Sequence, residues 1–132
     1  MKYILILTDT ERSKKYLEVL CKNKIFPDSI LFYSLKKNTN LLKKIKKTKV
    51  KYNYFNTNNL SNLKISKFIL KSEIKNFVYS GYPGEIVSSK ITSKKNLIHC
   101  HPGILPKFKG STTLYYSLLL DKKIHCTCIH LN

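Results

Sequence analysis

The chain has 132 residues, enough for one domain with a genuine hydrophobic core. Its 25 basic residues stand against 7 acidic ones, a formal net charge of +18, yet Arg12 is the only arginine, and alanine, glutamine and tryptophan are absent. A composition this rich in Lys, Asn and Ile reads as the codon bias of an AT-rich genome. The charge therefore predicts solvated lysines on helix faces, and a field that gathers small anions, before it predicts a dedicated nucleic-acid surface.

Met1 to Leu7 carries one lysine and a short apolar run, which Thr8-Asp9-Thr10-Glu11 ends. The run is too short for a secretory leader, and no small-residue cleavage site follows it. Residues 2–7 are expected to form a central parallel strand covered on both faces. Thr8 and Glu11 have capping-box spacing, so a helix is expected to begin there, with Tyr16, Val19 and Leu20 as its apolar stripe. Asn23 and Pro27 end it. Ile30 to Ser34 is a second strand. Leu41, Leu42 and Ile45 mark a lysine-rich second helix, and Val50, Tyr52 and Tyr54 alternate as a strand should.

Farther along, Leu60, Leu63, Phe68 and Ile69 suggest a third helix, and Phe77 to Ser80 a fourth strand ending at Gly81. Leu97 to His101 would be the fifth strand. A helix capped by Ser111 carries Leu114, Tyr115, Leu118 and Leu119, and Ile124 to Leu131 is the last strand. The alternation predicts an α/β fold: a doubly wound, mostly parallel sheet with helices on both faces. No stretch is long enough to span a membrane.

Ligands in such sheets collect beyond the carboxyl ends of the strands. All four glycines (Gly81, Gly84, Gly103 and Gly110) lie in two segments at those ends. In the second segment, His99 and His101 project from the same strand face, and Pro102-Gly103 then breaks the strand. A histidine at that tip can move a proton near neutral pH. Lys107 and Lys109 lie in the loop between Pro106 and Gly110, where they could meet an anion. Ser111 and Thr112 open a helix whose free N–H groups favour negative charge. A bland alternative stands beside this one: a strand-end histidine is often a hydrogen-bonded rim residue.

The cysteines are Cys21, Cys100, Cys126 and Cys128, which do not form the spread framework of a secreted domain. Free thiols in a reducing cytoplasm are expected. Zinc on His99, His101, Cys126 and Cys128 would require the last two strands to be neighbours. Neither C-x-x-C nor H-x₃-H spacing supports it, so no metal is expected.

The segment HCHPGILPKFKGSTTLYYSLLLDKK, from His99 to Lys123, resembles the signature of the 10-formyltetrahydrofolate-dependent formyltransferases, which runs Asn-x-His-Pro-Ser-Leu-Leu-Pro, then a spaced Gly, a helix and a strand. His101, Pro102, Leu105, Pro106 and Gly110 match it. The resemblance implies a Rossmann-like formyltransferase fold and formyl transfer from 10-formyltetrahydrofolate to a primary amine. His101 would be the catalytic histidine. His99 stands where the family has an asparagine that polarises the formyl oxygen, and an N–H-bearing imidazole there could donate to the developing oxyanion. Gly81, Tyr82, Pro83 and Gly84 correspond to the loop lining the folate pocket. Gly103, Lys107, Gly110, Ser111 and Thr112 fall on the acceptor side.

The His99–Gly103 variant of the signature points to an amino-sugar nucleotide as acceptor; tRNA is the one nucleic acid the family accepts. The family also carries a catalytic aspartate just after the strand that closes here at Leu131, and this chain has none there. Residues 1–132 thus read as one catalytic domain lacking its C-terminal part, cytoplasmic, with turnover reduced or lost. The competing reading is a non-catalytic basic module binding anionic ligands or nucleic acid, its interleaved Tyr and Lys between Lys49 and Phe55 stacking bases.

Overall fold

The computed structural model describes residues 2–110 and 112–131. Eleven elements follow in chain order: β1 (Ile4–Thr8), α1 (Glu11–Lys22), β2 (Ser29–Tyr33), α2 (Asn40–Lys47), β3 (Tyr52–Phe55), α3 (Leu63–Lys71), β4 (Asn76–Ser80), α4 (Ser89–Thr92), β5 (Asn96–His101), α5 (Thr113–Asp121) and β6 (Thr127–Leu131). The six strands form one sheet in the order β3-β2-β1-β4-β5-β6. The first five are parallel; β6 alone runs antiparallel, pairing Leu97 with Leu131 and His101 with Thr127.

The apolar run at the amino end becomes the buried centre of this sheet, and every residue of β1 is buried. Alternate side chains feed two cores. Ile4, Ile6, Leu31, Tyr33, Phe77 and Leu97 pack with Ile65, Ile69 and Ile91 of α3 and α4. Leu5, Leu7, Ile30 and Phe32 pack on the other face with Leu17 of α1 and Leu41 and Ile45 of α2. Fully burying each such side chain is worth about 1.5–3 kcal/mol. The two-sided burial explains why β1 and β2 read as continuous apolar runs rather than alternations.

Local signals were displaced in three places. Thr8 ends β1 rather than opening α1, and its hydroxyl donates to the Ser80 carbonyl at 3.3 Å. The N-cap is Thr10, whose side-chain oxygen accepts from the Ser13 amide at 3.2 Å. α5 is capped at Thr112 without a side-chain bond, while the expected cap, Ser111, lies outside the described residues. The one-turn helix α4, begun by Ser88, is too short to leave a periodic pattern. The direction of β6 was not expected from the alternation either. A helix between two strands carries no local mark of which way the second will run, and α5 ends on Lys122 in a left-handed conformation before the chain returns along β5.

Among the described residues, no helix is long and apolar enough to cross a membrane.

Candidate functional site

The strand order reverses direction between β1 and β4, the point where such sheets open a crevice. Here that point is closed by short polar side chains. The Ser13 hydroxyl donates to the Ser80 carbonyl at 3.0 Å and accepts from the Thr8 amide at 3.2 Å, and both serines are buried. The opening is displaced one strand along, to the carboxyl ends of β4 and β5. A cavity of about 590 Å³ lies there. Small-molecule sites typically enclose about 300–1,000 Å³.

Its walls come from across the chain. β5 supplies His99 and His101, followed by Pro102; the loop after β4 supplies Tyr82, Pro83 and Gly84; α1 supplies Arg12. Gly110 and Leu131 also line it. Of the residues predicted from sequence, His99, His101, Tyr82, Pro83, Gly84 and Gly110 thus meet around one space. Gly81 stands behind the wall: a methyl group there would overlap the Tyr79 hydroxyl and the Glu85 carboxylate, so only glycine lets the chain leave β4 this closely.

Three predicted acceptor-side residues do not line the cavity. Gly103 has φ 154°, and a Cβ there would lie 3.0 Å from that of Thr113, so it serves the turn. Lys107 pairs with Asp121 at 2.5 Å and lies 4.9 Å over the Phe108 ring. Thr112 is exposed at the start of α5. Ser111 is outside the described residues.

Both imidazoles are tied to the backbone. His99 Nδ1 lies 3.0 Å from the Tyr79 carbonyl, and its ring is 5.8 Å from the Tyr79 ring. His101 Nε2 lies 2.9 Å from the Phe108 carbonyl. A carbonyl only accepts, so each of these nitrogens carries the hydrogen, and the neutral ring keeps its lone pair on the other nitrogen: Nε2 in His99, Nδ1 in His101. Burial lowers the pKa of His99, and the charges of Arg12 and His101 lower it further, against the opposing pull of the Tyr79 carbonyl.

Two residues that sequence reasoning missed hold the wall in place. Glu85 gathers four donors: the Tyr33 hydroxyl, the Tyr79 hydroxyl at 2.8 Å, the Leu60 amide at 2.6 Å and the Tyr82 amide at 3.3 Å. It folds the loop after β4 back on the sheet. Burial, followed by the neighbouring carboxylate, raises the pKa of Tyr79, which therefore stays a neutral donor. Arg12 donates from Nη2 to the Gly81 carbonyl at 2.6 Å, and its buried Nε has no hydrogen-bond partner among the described residues. The signal for Arg12 was in the composition: a chain that uses lysine everywhere else keeps one guanidinium, the group that is always charged and forked.

The strands proposed for zinc are neighbours, but their faces divide the ligands. Cys100 pairs with Cys128, while His99 and His101 sit opposite Ile129 and Thr127, so imidazoles and thiols point to opposite sides. No group of three or more His, Cys, Asp or Glu residues suited to a metal occurs among the described residues.

No protein-family profile and no curated protein matches this sequence. Solved structures do. A sugar N-formyltransferase from a Shewanella species superposes with TM-score 0.66 at 19% identity over 100% of this chain and 52% of its own. Glycinamide ribonucleotide transformylase 1 from Symbiobacterium toebii gives 0.72 at 12% identity, over 100% and 66%. The phosphoribosylglycinamide formyltransferase of Campylobacter jejuni gives 0.68 at 22%, over 100% and 74%.

The chain has the formyltransferase fold. It spans about half to three-quarters of the length of these proteins. The mostly parallel, Rossmann-like sheet expected from the alternation and the H-P signature is therefore the observed one.

A second, larger groove, about 650 Å³, lies at the opposite end of the sheet among Lys51, Lys64, Lys67, Lys71, Phe55 and Phe68. Its charges are lysines and Asp28, with no histidine or cysteine. It can hold an anion but offers no group to move a proton near neutral pH.

Proposed function

We propose that the cavity between β4 and β5 transfers a formyl group from 10-formyltetrahydrofolate to a primary amine, with an amino-sugar nucleotide as the preferred acceptor. One observation carries this reading: the histidine of the H-P turn and the loop Tyr82–Gly84 line the same 590 Å³ cavity. The sugar N-formyltransferase among the similar folds supports a sugar acceptor.

The donor supplies a one-carbon unit whose carbonyl carbon passes from N10 to the amine nitrogen, with one proton leaving the amine and one reaching N10. His101 moves that proton. Its Nε2–H is held by the Phe108 carbonyl, which leaves Nδ1 as the basic nitrogen. Arg12 contributes positive charge where oxygen charge develops. Tyr82, Pro83 and Gly84 offer main-chain groups and one aromatic face to the pterin. Among the described residues, the ring of His101 is oriented by the Phe108 carbonyl, while Asp121 pairs with Lys107.

The test is thermal protection by 5-formyltetrahydrofolate together with a formyl-transfer assay on amino-sugar nucleotides. Protection that disappears in Gly81→Trp, and transfer that falls about 10²- to 10⁴-fold in His101→Ala, support the reading. An unchanged melting curve at millimolar folate would refute it.

The lysine groove favours the second reading, a polyanion-binding module. RNA binding with a steep salt dependence, weakened by Lys67→Glu and accompanied by no folate response, would establish that function instead.

A further inference from the structure

We propose that His99 presents a hydrogen-bond acceptor, not a donor, to the cavity, and that it orients the acceptor amine by taking one of its N–H groups on Nε2. This rests on the formyl-transfer reading above. It inverts the part that the signature's asparagine implies, in which the residue donates to the formyl oxygen.

His99 lies on β5 with its ring lining the cavity. Its Nδ1 is 3.0 Å from the Tyr79 carbonyl of the neighbouring strand, which cannot donate. The single hydrogen of the neutral ring is thereby committed to β4. The lone pair is on Nε2, across the ring from Nδ1, and that nitrogen is neither bonded to another described residue nor among the buried polar atoms left without a partner. It is open to the cavity.

Donation from Nε2 would require either turning the ring off Tyr79 or adding a second proton. The surroundings resist the second proton. Burial lowers the His99 pKa most, and Arg12 of α1 and His101 of β5 lower it further, outweighing the Tyr79 carbonyl that raises it. From β4 comes Tyr79, a neutral phenol whose hydroxyl is spent on Glu85. The Glu85 carboxylate, the one acid among the described residues lining this cavity, is occupied by tyrosine hydroxyls and backbone amides. Of the described residues of β6, the aliphatic Leu131 lines it. Among the described residues, no free anion faces the ring to favour an imidazolium.

A neutral acceptor beside a guanidinium sorts the two reactants. Arg12 suits an oxygen that gains charge, and His99 suits a nitrogen that still has hydrogen. An amine hydrogen-bonded to Nε2 keeps its own lone pair free for the carbonyl carbon, while His101 handles the proton.

Nitrogen NMR of the full chain labelled in histidine decides the matter, with His99 assigned by its disappearance in His99→Asn. The expected spectrum at neutral pH has His99 as the Nδ1–H tautomer, titrating below the ordinary imidazole value. Saturation with 5-formyltetrahydrofolate is expected to leave that tautomer in place. An Nε2–H tautomer, an imidazolium at neutral pH, or conversion to either when the folate binds overturns the proposal. A spectrum that keeps the Nδ1–H tautomer but shows no response of any histidine to folate sinks the formyl-transfer reading and leaves His99 standing as an acceptor for some other N–H ligand.

Discussion

The two sides of the sheet are built differently. From β1 to β4 the strands are sealed between helices: Leu5, Ile6, Leu7, Ile30, Leu31 and Phe32 have no exposed surface. Beyond β5 the cover thins. α5 buries Thr113 and Ser117 and turns its large apolar side chains outward: Tyr115 is 69% exposed, Leu119 75% and Leu120 68%. In β6, Cys128 and His130 are exposed. The candidate site lies on the seam, with Arg12 and Tyr79 coming from the sealed side and Gly110 and Leu131 from the open one. The site therefore draws on both halves: the sealed half supplies the wall against which His99 and His101 are set, and the open half supplies Gly110 and Leu131.

Substitutions on either side test this contrast. The largest effect is expected for Ile6→Ala, which opens a cavity in a strand flanked by two others; denaturant titration should show a loss of about 2–5 kcal/mol. Glu85→Gln comes next. It turns an amide NH₂ toward the donors the carboxylate satisfies, and a loss of about 1–3 kcal/mol is expected, along with faster proteolysis of the loop Gly81–Val87.

A pH effect of smaller size comes from His99. Its folded pKa is held below the ordinary 6.5 by burial and by Arg12 and His101. The unfolded chain therefore binds a proton more readily than the folded one. Its contribution to stability is complete above about 6.5 and is lost as pH falls from there toward the folded value. Melting temperature should decline more steeply with acidification in the native chain than in His99→Phe. Parallel profiles would show that the ring is solvated and the wall loose.

The smallest effect is expected for Leu119→Ala on the open side, within about 0.5 kcal/mol by the same denaturant titration. A loss as large as that of Ile6→Ala would mean that α5 is covered in solution, and the contrast between the two sides would fall.

Much of this was legible in the residues. The apolar run of β1, the alternation of strand and helix and the confinement of glycine to two strand ends are local, because they follow from the periods of the backbone and the sterics of single residues. They placed the H-P turn and the loop after β4 beside one another at a strand end, and the resemblance gave those segments a chemistry. Composition singled out Arg12, but its place at the cavity, the role of Glu85 and the direction of β6 were not legible. The cavity joins Arg12 to Leu131, and no pattern in the chain records which distant side chains will meet. Glu85 looks like any surface acid until two tyrosines and two amides converge on it. The state of His99 is the sharpest case. An imidazole can donate or accept from either nitrogen, and its residue type leaves that choice open. A carbonyl on the adjacent strand makes the choice, and strand adjacency exists only once the sheet has formed.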